Sequence, residues 1–159
     1  VFGAGGGTSS YEEAERTGVV VLWGSNARET HPIYFHHVLK GIHQGAKLYV
    51  VDPRRTGSAR WADGWLGLDV GSDIALANAV GREILAAGLE NRAFIERATS
   101  GFDSYAKCVE PYTLEYAEKT TGVPRERIAE LRQRVRSGTY NNRVVIERVA
   151  RRILESGDL

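Results

Sequence analysis

The chain has 159 residues, 42% of them hydrophobic and 26% charged, and its formal net charge is +1. These values are typical of one globular domain with an appendage, and no apolar run approaches the roughly 20 residues that span a bilayer, so we expect no membrane partner. Cys108 is the only cysteine, which excludes a disulfide or a cysteine-ligated metal cluster built within these residues.

The start of the chain and its charge distribution indicate its organisation. The chain begins at Val1 and contains no methionine, which indicates a piece of a longer protein. Residues 1–123 carry 12 basic and 15 acidic side chains, whereas residues 124–159 carry 9 and 5. We therefore predict a domain over 1–123 and a separate basic tail over 124–159, in a cytoplasmic protein with no nucleic-acid partner.

Two apolar strands joined by a helix are the clearest predicted elements. GVVVLW at 18–23 is a continuous apolar run bounded by glycines, which favours a strand covered on both faces. Pro32 opens a helix that runs to about Gln44, and KLYVVD at 47–52 forms a second strand, which Pro53 ends. Such a β-α-β unit is right-handed and places its strands in parallel.

Further elements continue this alternation. A short helix ending at Gly18 precedes the first strand, WLGLDV at 65–70 is a third strand, and residues 71–89 form a helix capped by Ser72 or Asp73. Shorter helices follow, so the pattern predicts an α/β fold with a parallel sheet.

The predicted tail contains two amphipathic helices. The apolar positions are 128, 131 and 135 in the first helix and 146, 149, 150, 153 and 154 in the second. Gly138 is expected to end the first helix, and Asn141 or Asn142 to cap the second.

Polar residues follow all three predicted strands, as GSNARETH at 24–31, DPRRT at 52–56 and GSD at 71–73. The carboxyl ends of parallel strands share one edge of the sheet, where ligands bind in such folds. Singly, each cluster is also typical of ordinary caps and turns. Together they favour a nucleotide site.

Each cluster offers suitable chemistry for a nucleotide. Gly24 lets a ligand approach the backbone, and Asn26 and Glu29 suit a base or a sugar. Asp52 occupies the position of a ribose-binding carboxylate, and Arg54 or Arg55 could pair with a phosphate. The amides of residues 71–73 form an anion site at a helix start, or the Asp73 carboxylate reads a purine edge.

Other residues that could take part in binding or catalysis are predicted to have structural roles. Trp23, Trp61 and Trp65 are expected to pack in the core rather than stack on a base. Cys108 is interpreted as a half-buried structural thiol. The glycine-rich stretch GAGGGT at 3–8 is a poor phosphate loop, because no strand leads into it.

Three stretches together resemble a known family: WGSNARETHP, GAKLYVVDPRRT and GSDIALANA, in this order and spacing. Over about residues 2–123 they resemble the molybdopterin guanine dinucleotide-binding region of the molybdopterin oxidoreductases, most closely the formate dehydrogenase alpha subunits. The resemblance implies a Rossmann-like α/β domain that binds part of a bis-molybdopterin guanine dinucleotide (bis-MGD) cofactor with molybdenum or tungsten. It assigns the cofactor contacts to Gly24, Ser25, Asn26, Glu29, His31, Asp52, Arg54, Thr56, Gly71 and Asp73.

The resemblance also implies which functional parts lie elsewhere. In the family, the metal-ligating cysteine or selenocysteine and the iron–sulfur cysteines lie upstream of this region. We therefore expect no catalytic residue and no metal ligand in this chain. It would be the cofactor-binding part of a formate dehydrogenase-like enzyme, which converts formate to carbon dioxide only with the remaining domains or subunits.

The tail has a resemblance of its own. Residues 128–155, with SGTY between two helices and ARRIL at the end of the second, resemble the C-terminal segment of flagellar anti-sigma factors. This resemblance implies a regulatory binding module whose helices bind a sigma factor through their apolar faces. The alternatives are two helices that pack on the α/β domain, or a join produced by a truncated or rearranged gene.

Overall fold

The computed structural model describes the backbone of residues 10–136 and the side chains of residues 10–130. Its described strands are β1 (Val19–Trp23), β2 (Lys47–Val51) and β3 (Gly64–Leu66), which form a parallel sheet in the order β1-β2-β3. Trp23 lies opposite Val51, and Val51 opposite Leu66, so all three strands end in one row. The predicted α/β fold with a parallel sheet is confirmed.

Helices flank the sheet. They are α1 (Glu13–Arg16), α2 (Ala27–Thr30), α3 (Pro32–His43), α4 (Asp73–Ala86), α5 (Arg92–Ala98), α6 (Phe102–Val109), α7 (Leu114–Thr121) and α8 (Arg125–Arg136), with a 3-10 turn at Ser58–Trp61. Within residues 10–136, no helix is both long enough and apolar enough to span a membrane.

The two faces of β2 supply two separate cores. Leu48 and Val50 pack with side chains of β1 and α3, including Phe35 and Val38. The alternate residues of β2 pack with α4, α7 and the start of α8 on the other face, in a cluster of Tyr49, Val51, Leu76, Ala79, Ala117 and Ile128. Because β2 is central and covered on both faces, its sequence after Lys47 is continuously apolar rather than alternating.

Helix α1 is fastened to α3. A methyl group added at Gly41 would overlap the carbonyl oxygen of Ala14, so the two helices approach as closely as a glycine allows. The Glu15 carboxylate accepts hydrogen bonds from Lys40 (3.0 Å) and contacts His37 Nδ1, and these partners on α3 hold its pKa below the ordinary value. The attachment therefore combines backbone contact with an ion pair.

The structure corrects three expectations. The third strand ends at Leu66 instead of residue 70, because the Asp69 amide donates to Thr121 on α7 (2.8 Å) and the chain leaves the sheet. Cys108 is exposed on α6 and is not a half-buried thiol.

The third correction concerns the tryptophans. Trp23, Trp61 and Trp65 are 36%, 47% and 37% exposed, so the expectation of core packing was wrong. Trp23 ends β1 on the face of the sheet that carries Val51, whereas Trp65 lies in β3 on the opposite face, beside Val50.

The first predicted tail helix is α8, and its Ile128 is buried against the second core. The second tail helix, with its cap at Asn141 or Asn142, lies outside the described residues, as do Gly138 and the stretch at 3–8.

Candidate functional site

Two glycines open the backbone at the carboxyl edge of the sheet. Gly24 follows β1 directly, and its amide donates to the Val51 carbonyl at 2.8 Å. Gly24 and Gly71 have φ of +58° and +87°, a region that disfavours side chains, and a Cβ added at either would meet no atom within 4 Å. A ligand can therefore approach the main chain at both positions.

The loop after β1 is joined to the loop after β2 by Asn26 and Ser58. Asn26 Oδ1 accepts hydrogen bonds from the amide of Ser58 (3.3 Å) and from its hydroxyl (3.2 Å), and the same hydroxyl accepts from the Arg28 amide at 3.0 Å. A backbone N–H can only donate, so these bonds fix which way the Asn26 amide faces. Its nitrogen has no acceptor among the described backbone and the side chains of residues 10–130, so its two N–H groups are available to a ligand there.

Gly57 brings the same two loops into close contact. A methyl group at Gly57 would lie 2.8 Å from Glu29 Oε1, 3.4 Å from Arg28 Cδ and 3.6 Å from Asn26 Oδ1. Only a glycine leaves the Glu29 carboxylate in this position, where it is exposed beside Asn26.

The loop after β2 is a turn built on Asp52. This residue is only 3% exposed, and its Oδ1 accepts from the Arg54 amide at 2.8 Å, with Arg54 Nε 3.6 Å away. Thr56 is also buried, and its hydroxyl accepts from the Ala59 amide at 3.4 Å. Asp52 and Thr56 therefore shape the loop, while the Arg54 guanidinium extends into solvent.

Indole groups lie beside two of these loops. Trp65 Nε1 donates to the Asp52 carbonyl at 2.8 Å, and the Arg55 guanidinium lies 5.9 Å from the centre of the Trp65 ring. Trp23 Nε1 donates to Asp73 Oδ1 at 2.8 Å, which joins the end of β1 to the first turn of α4. The three polar loops thus form one connected edge.

The remaining predicted site residues lie at the margin of this edge. Ser25 is half-buried, and its hydroxyl has no partner among the described side chains. His31 is exposed between α2 and α3, and its Nδ1 is 2.9 Å from the Thr30 hydroxyl. Within residues 10–136, no hydrogen bond joins His31 to the loops after β2 or β3.

Sequence reasoning missed Ser58 and Gly57, which hold the first two loops together, and the hydrogen bond between Trp23 and Asp73. Ser58 and Asn26 are 32 residues apart, and Trp23 and Asp73 are 50 residues apart. No local pattern marks such pairs, although the glycine and serine after DPRRT indicate a tight loop.

Comparisons with known proteins agree with this architecture. A family model described as molybdopterin oxidoreductase matches residues 4–146. The chain is 40% identical over 134 residues to formate dehydrogenase H from Escherichia coli (strain K12), covering 84% of this chain and 18% of that protein. It is 37% identical over 129 residues to the F420-dependent formate dehydrogenase subunit alpha from Methanocaldococcus jannaschii, covering 81% and 19%.

A solved structure is similar as well. The acetylene hydratase from Pelobacter acetylenicus superimposes with a TM-score of 0.69 at 28% identity, over 75% of this chain and 16% of that one. The chain spans about a fifth of the length of the two formate dehydrogenases named above. The match over most of the chain confirms the resemblance found in the sequence: the chain belongs to the molybdopterin oxidoreductase family.

Proposed function

We propose that the chain is the cofactor-binding part of a formate dehydrogenase-like molybdopterin oxidoreductase, and that its strand edge binds the guanine dinucleotide end of the cofactor. The observation that supports this most strongly is the connected edge, in which hydrogen bonds join the loops after β1, β2 and β3. The names of two relatives, both formate dehydrogenases, support the choice of substrate.

The residues present fit such a group. A guanine dinucleotide offers phosphates, sugar hydroxyls and a base edge rich in donors. The edge offers open space at Gly24 and Gly71, the N–H groups of Asn26, the guanidinium of Arg54 and the carboxylate of Asp73. The guanidinium complements anions, the N–H groups complement hydrogen-bond acceptors, and the carboxylate complements hydrogen-bond donors.

Each residue would bind or orient the cofactor. Arg54 and Arg55 would pair with the diphosphate, and Asn26 and Glu29 would bind the sugar or pterin side. Asp52, whose Oδ2 has no partner among the described residues, would accept from a ribose hydroxyl. Ser25, His31 and Thr56 stay predictions as cofactor contacts.

The chemistry would come from the cofactor and from the rest of the enzyme. The bound molybdenum or tungsten centre of bis-MGD would accept two electrons from formate. Because the only cysteine, Cys108, is exposed on α6 away from the strand ends in sequence, we propose that the metal ligand and the iron–sulfur clusters belong to other regions. The isolated chain would bind nucleotide without oxidising formate.

The partners proposed are the remaining domains or subunits of such an enzyme; one relative is by name a subunit alpha. No observation favours a sigma factor: Ile128, on the apolar face predicted to bind it, is buried against the domain itself. The cytoplasmic location and the division at residue 123 stay predictions.

A titration of the 159-residue chain with GDP tests the proposal, with ADP and NAD as controls and amide NMR shifts as the readout. We expect GDP to shift the amides of Asn26, Asp52 and Asp73. Asn26→Asp keeps the acceptor for Ser58 but removes the N–H donors, and should weaken GDP binding about tenfold, the effect of one lost hydrogen bond.

Asn78→Asp makes the same chemical change on α4, where Asn78 has no hydrogen-bond partner among the described side chains. Asn78 is half-buried on α4 and lies outside the three polar loops, so the variant should leave GDP binding within about twofold of the original. Failure of the folded chain to bind GDP at millimolar concentration, or an equal loss in both variants, would reject the proposed site.

A further inference from the structure

The hydrogen bond between Trp23 and Asp73 crosses the strand edge and joins residues that are 50 positions apart in the sequence. It runs from the last residue of β1 to the first residue of α4, past the end of the central strand β2. The indole N–H can only donate, so the Asp73 carboxylate oxygen is the acceptor of this bond. The Asp73 side chain, although exposed, is thereby tied to the sheet.

Asp73 has one oxygen left for a ligand. Its Oδ1 accepts from the indole at 2.8 Å, and its Oδ2 has no partner among the side chains of residues 10–130 or the described backbone. The neighbouring Ser72 does not compete, because its hydroxyl donates to the Asp69 carbonyl at 2.6 Å and caps no amide of α4. Trp23 therefore determines where the free oxygen lies.

The charges of the edge indicate what that oxygen binds. The carboxylate of Asp73 repels phosphate, whereas Arg54 and Arg55 offer cations in the loop after β2. The diphosphate therefore belongs beside the arginines and the base beside Asp73. The free oxygen accepts from the N1–H and N2 amino edge of guanine, whereas adenine presents an acceptor at N1 and is disfavoured.

We infer that Trp23 is a positioning residue for base recognition: its indole N–H holds the Asp73 carboxylate in the orientation that selects guanine over adenine. The inference rests on the proposed function, because it presumes a nucleotide at the strand edge. Trp23→Phe keeps an aromatic ring at this partly exposed position but removes the N–H together with part of the indole, so a control for the lost ring area is needed.

Trp65 provides a matched control. It lies at the same edge, has nearly the same exposure as Trp23 (37% and 36%), and also donates its N–H at 2.8 Å. Its acceptor is the backbone carbonyl of Asp52, so this hydrogen bond does not orient a carboxylate. Trp23→Phe and Trp65→Phe thus make the same chemical change with different consequences for Asp73.

The experiment measures GDP and ADP affinity for the full chain and for four variants: Trp23→Phe, Trp65→Phe, Asp73→Asn and the double variant of Trp23 and Asp73. Trp23→Phe should weaken GDP about fivefold and ADP less than about twofold, the loss expected from one misplaced hydrogen bond. Trp65→Phe should leave the ratio of the two affinities unchanged. In the Asp73→Asn background, Trp23→Phe should produce no further change in that ratio.

A second readout follows the contact itself. The Trp23 indole N–H resonance should move in Asp73→Asn and stay in place in Trp65→Phe. An unmoved resonance, or an equal change of the GDP to ADP ratio in both tryptophan variants, refutes the positioning role while leaving the nucleotide site intact. Absence of GDP binding by the folded chain refutes the proposed function, and this inference with it.

Discussion

Replacement of Ser58 by alanine tests whether the strand edge is held together as described. The Ser58 side chain is 0% exposed, and its hydroxyl makes two hydrogen bonds, to Asn26 Oδ1 and from the Arg28 amide. Ser58→Ala removes both and leaves the Arg28 N–H without its partner. At about 1 kcal/mol for each bond, the free energy of unfolding should fall by about 2 kcal/mol.

A loss of this size is easy to measure. A domain of this length is stable by about 5–15 kcal/mol, so the variant should still fold. Its thermal midpoint should fall by about 5 to 10 °C, and urea unfolding followed by circular dichroism gives the free energy directly. GDP affinity should fall too, because the Asn26 amide is no longer held by the hydroxyl.

Ser104→Ala is the matched control. Ser104 is exposed on α6, and its hydroxyl has no hydrogen-bond partner among the described side chains, so its loss should change the free energy of unfolding by less than about 0.5 kcal/mol. Equal stability of the two variants would show that the hydroxyl of Ser58 does not join the loops.

Three further predictions concern other parts of the chain. Gly57→Ala should displace the Glu29 carboxylate, 2.8 Å from the added methyl group, and weaken GDP binding in the NMR titration, while the thermal midpoint changes little because the end of a flexible side chain can move; unchanged GDP binding would contradict the close contact. Leu76→Ala should lower the free energy of unfolding, measured with urea, by about 3 kcal/mol because Leu76 is fully buried. Ile74→Ala, at an exposed position of the same helix, should lower it by less than about 1 kcal/mol. Glu15 has a pKa lowered by its partners on α3, so its contribution to stability is present at neutral pH and fades as the pH falls below 4.5; Glu15→Gln should flatten the acid side of a plot of thermal midpoint against pH, and an unchanged acid limb would refute the ion pair.

The sheet and its helix α3 could be predicted because their sequences depend on local rules. β1 is an uninterrupted apolar run, as is β2 after Lys47, and Pro32 occupies the first position of α3 in the structure as in the prediction. The clustering of polar loops on one edge followed from parallel strands alone.

The rest depended on contacts between distant residues. The length of β3 is set by the Asp69 amide, which donates to Thr121 at a separation that no sequence pattern records. Trp23 was expected in the core, but Val21 and Trp23 are on the face of β1 that no helix among residues 10–136 covers fully. The composition of a strand does not show whether it lies at the edge or in the centre of a sheet.

The three strands end in a common row formed by Trp23, Val51 and Leu66, and this row separates positions that tolerate insertions from positions that do not. The cores lie below this row and the connected loops above it, so we expect the loops to vary together without repacking of the interior. An inserted residue inside β2 would instead raise one loop by about 3.3 Å against its neighbours and reverse its inward-facing side chains. Variation in length should therefore collect in the loops, while the strands keep theirs.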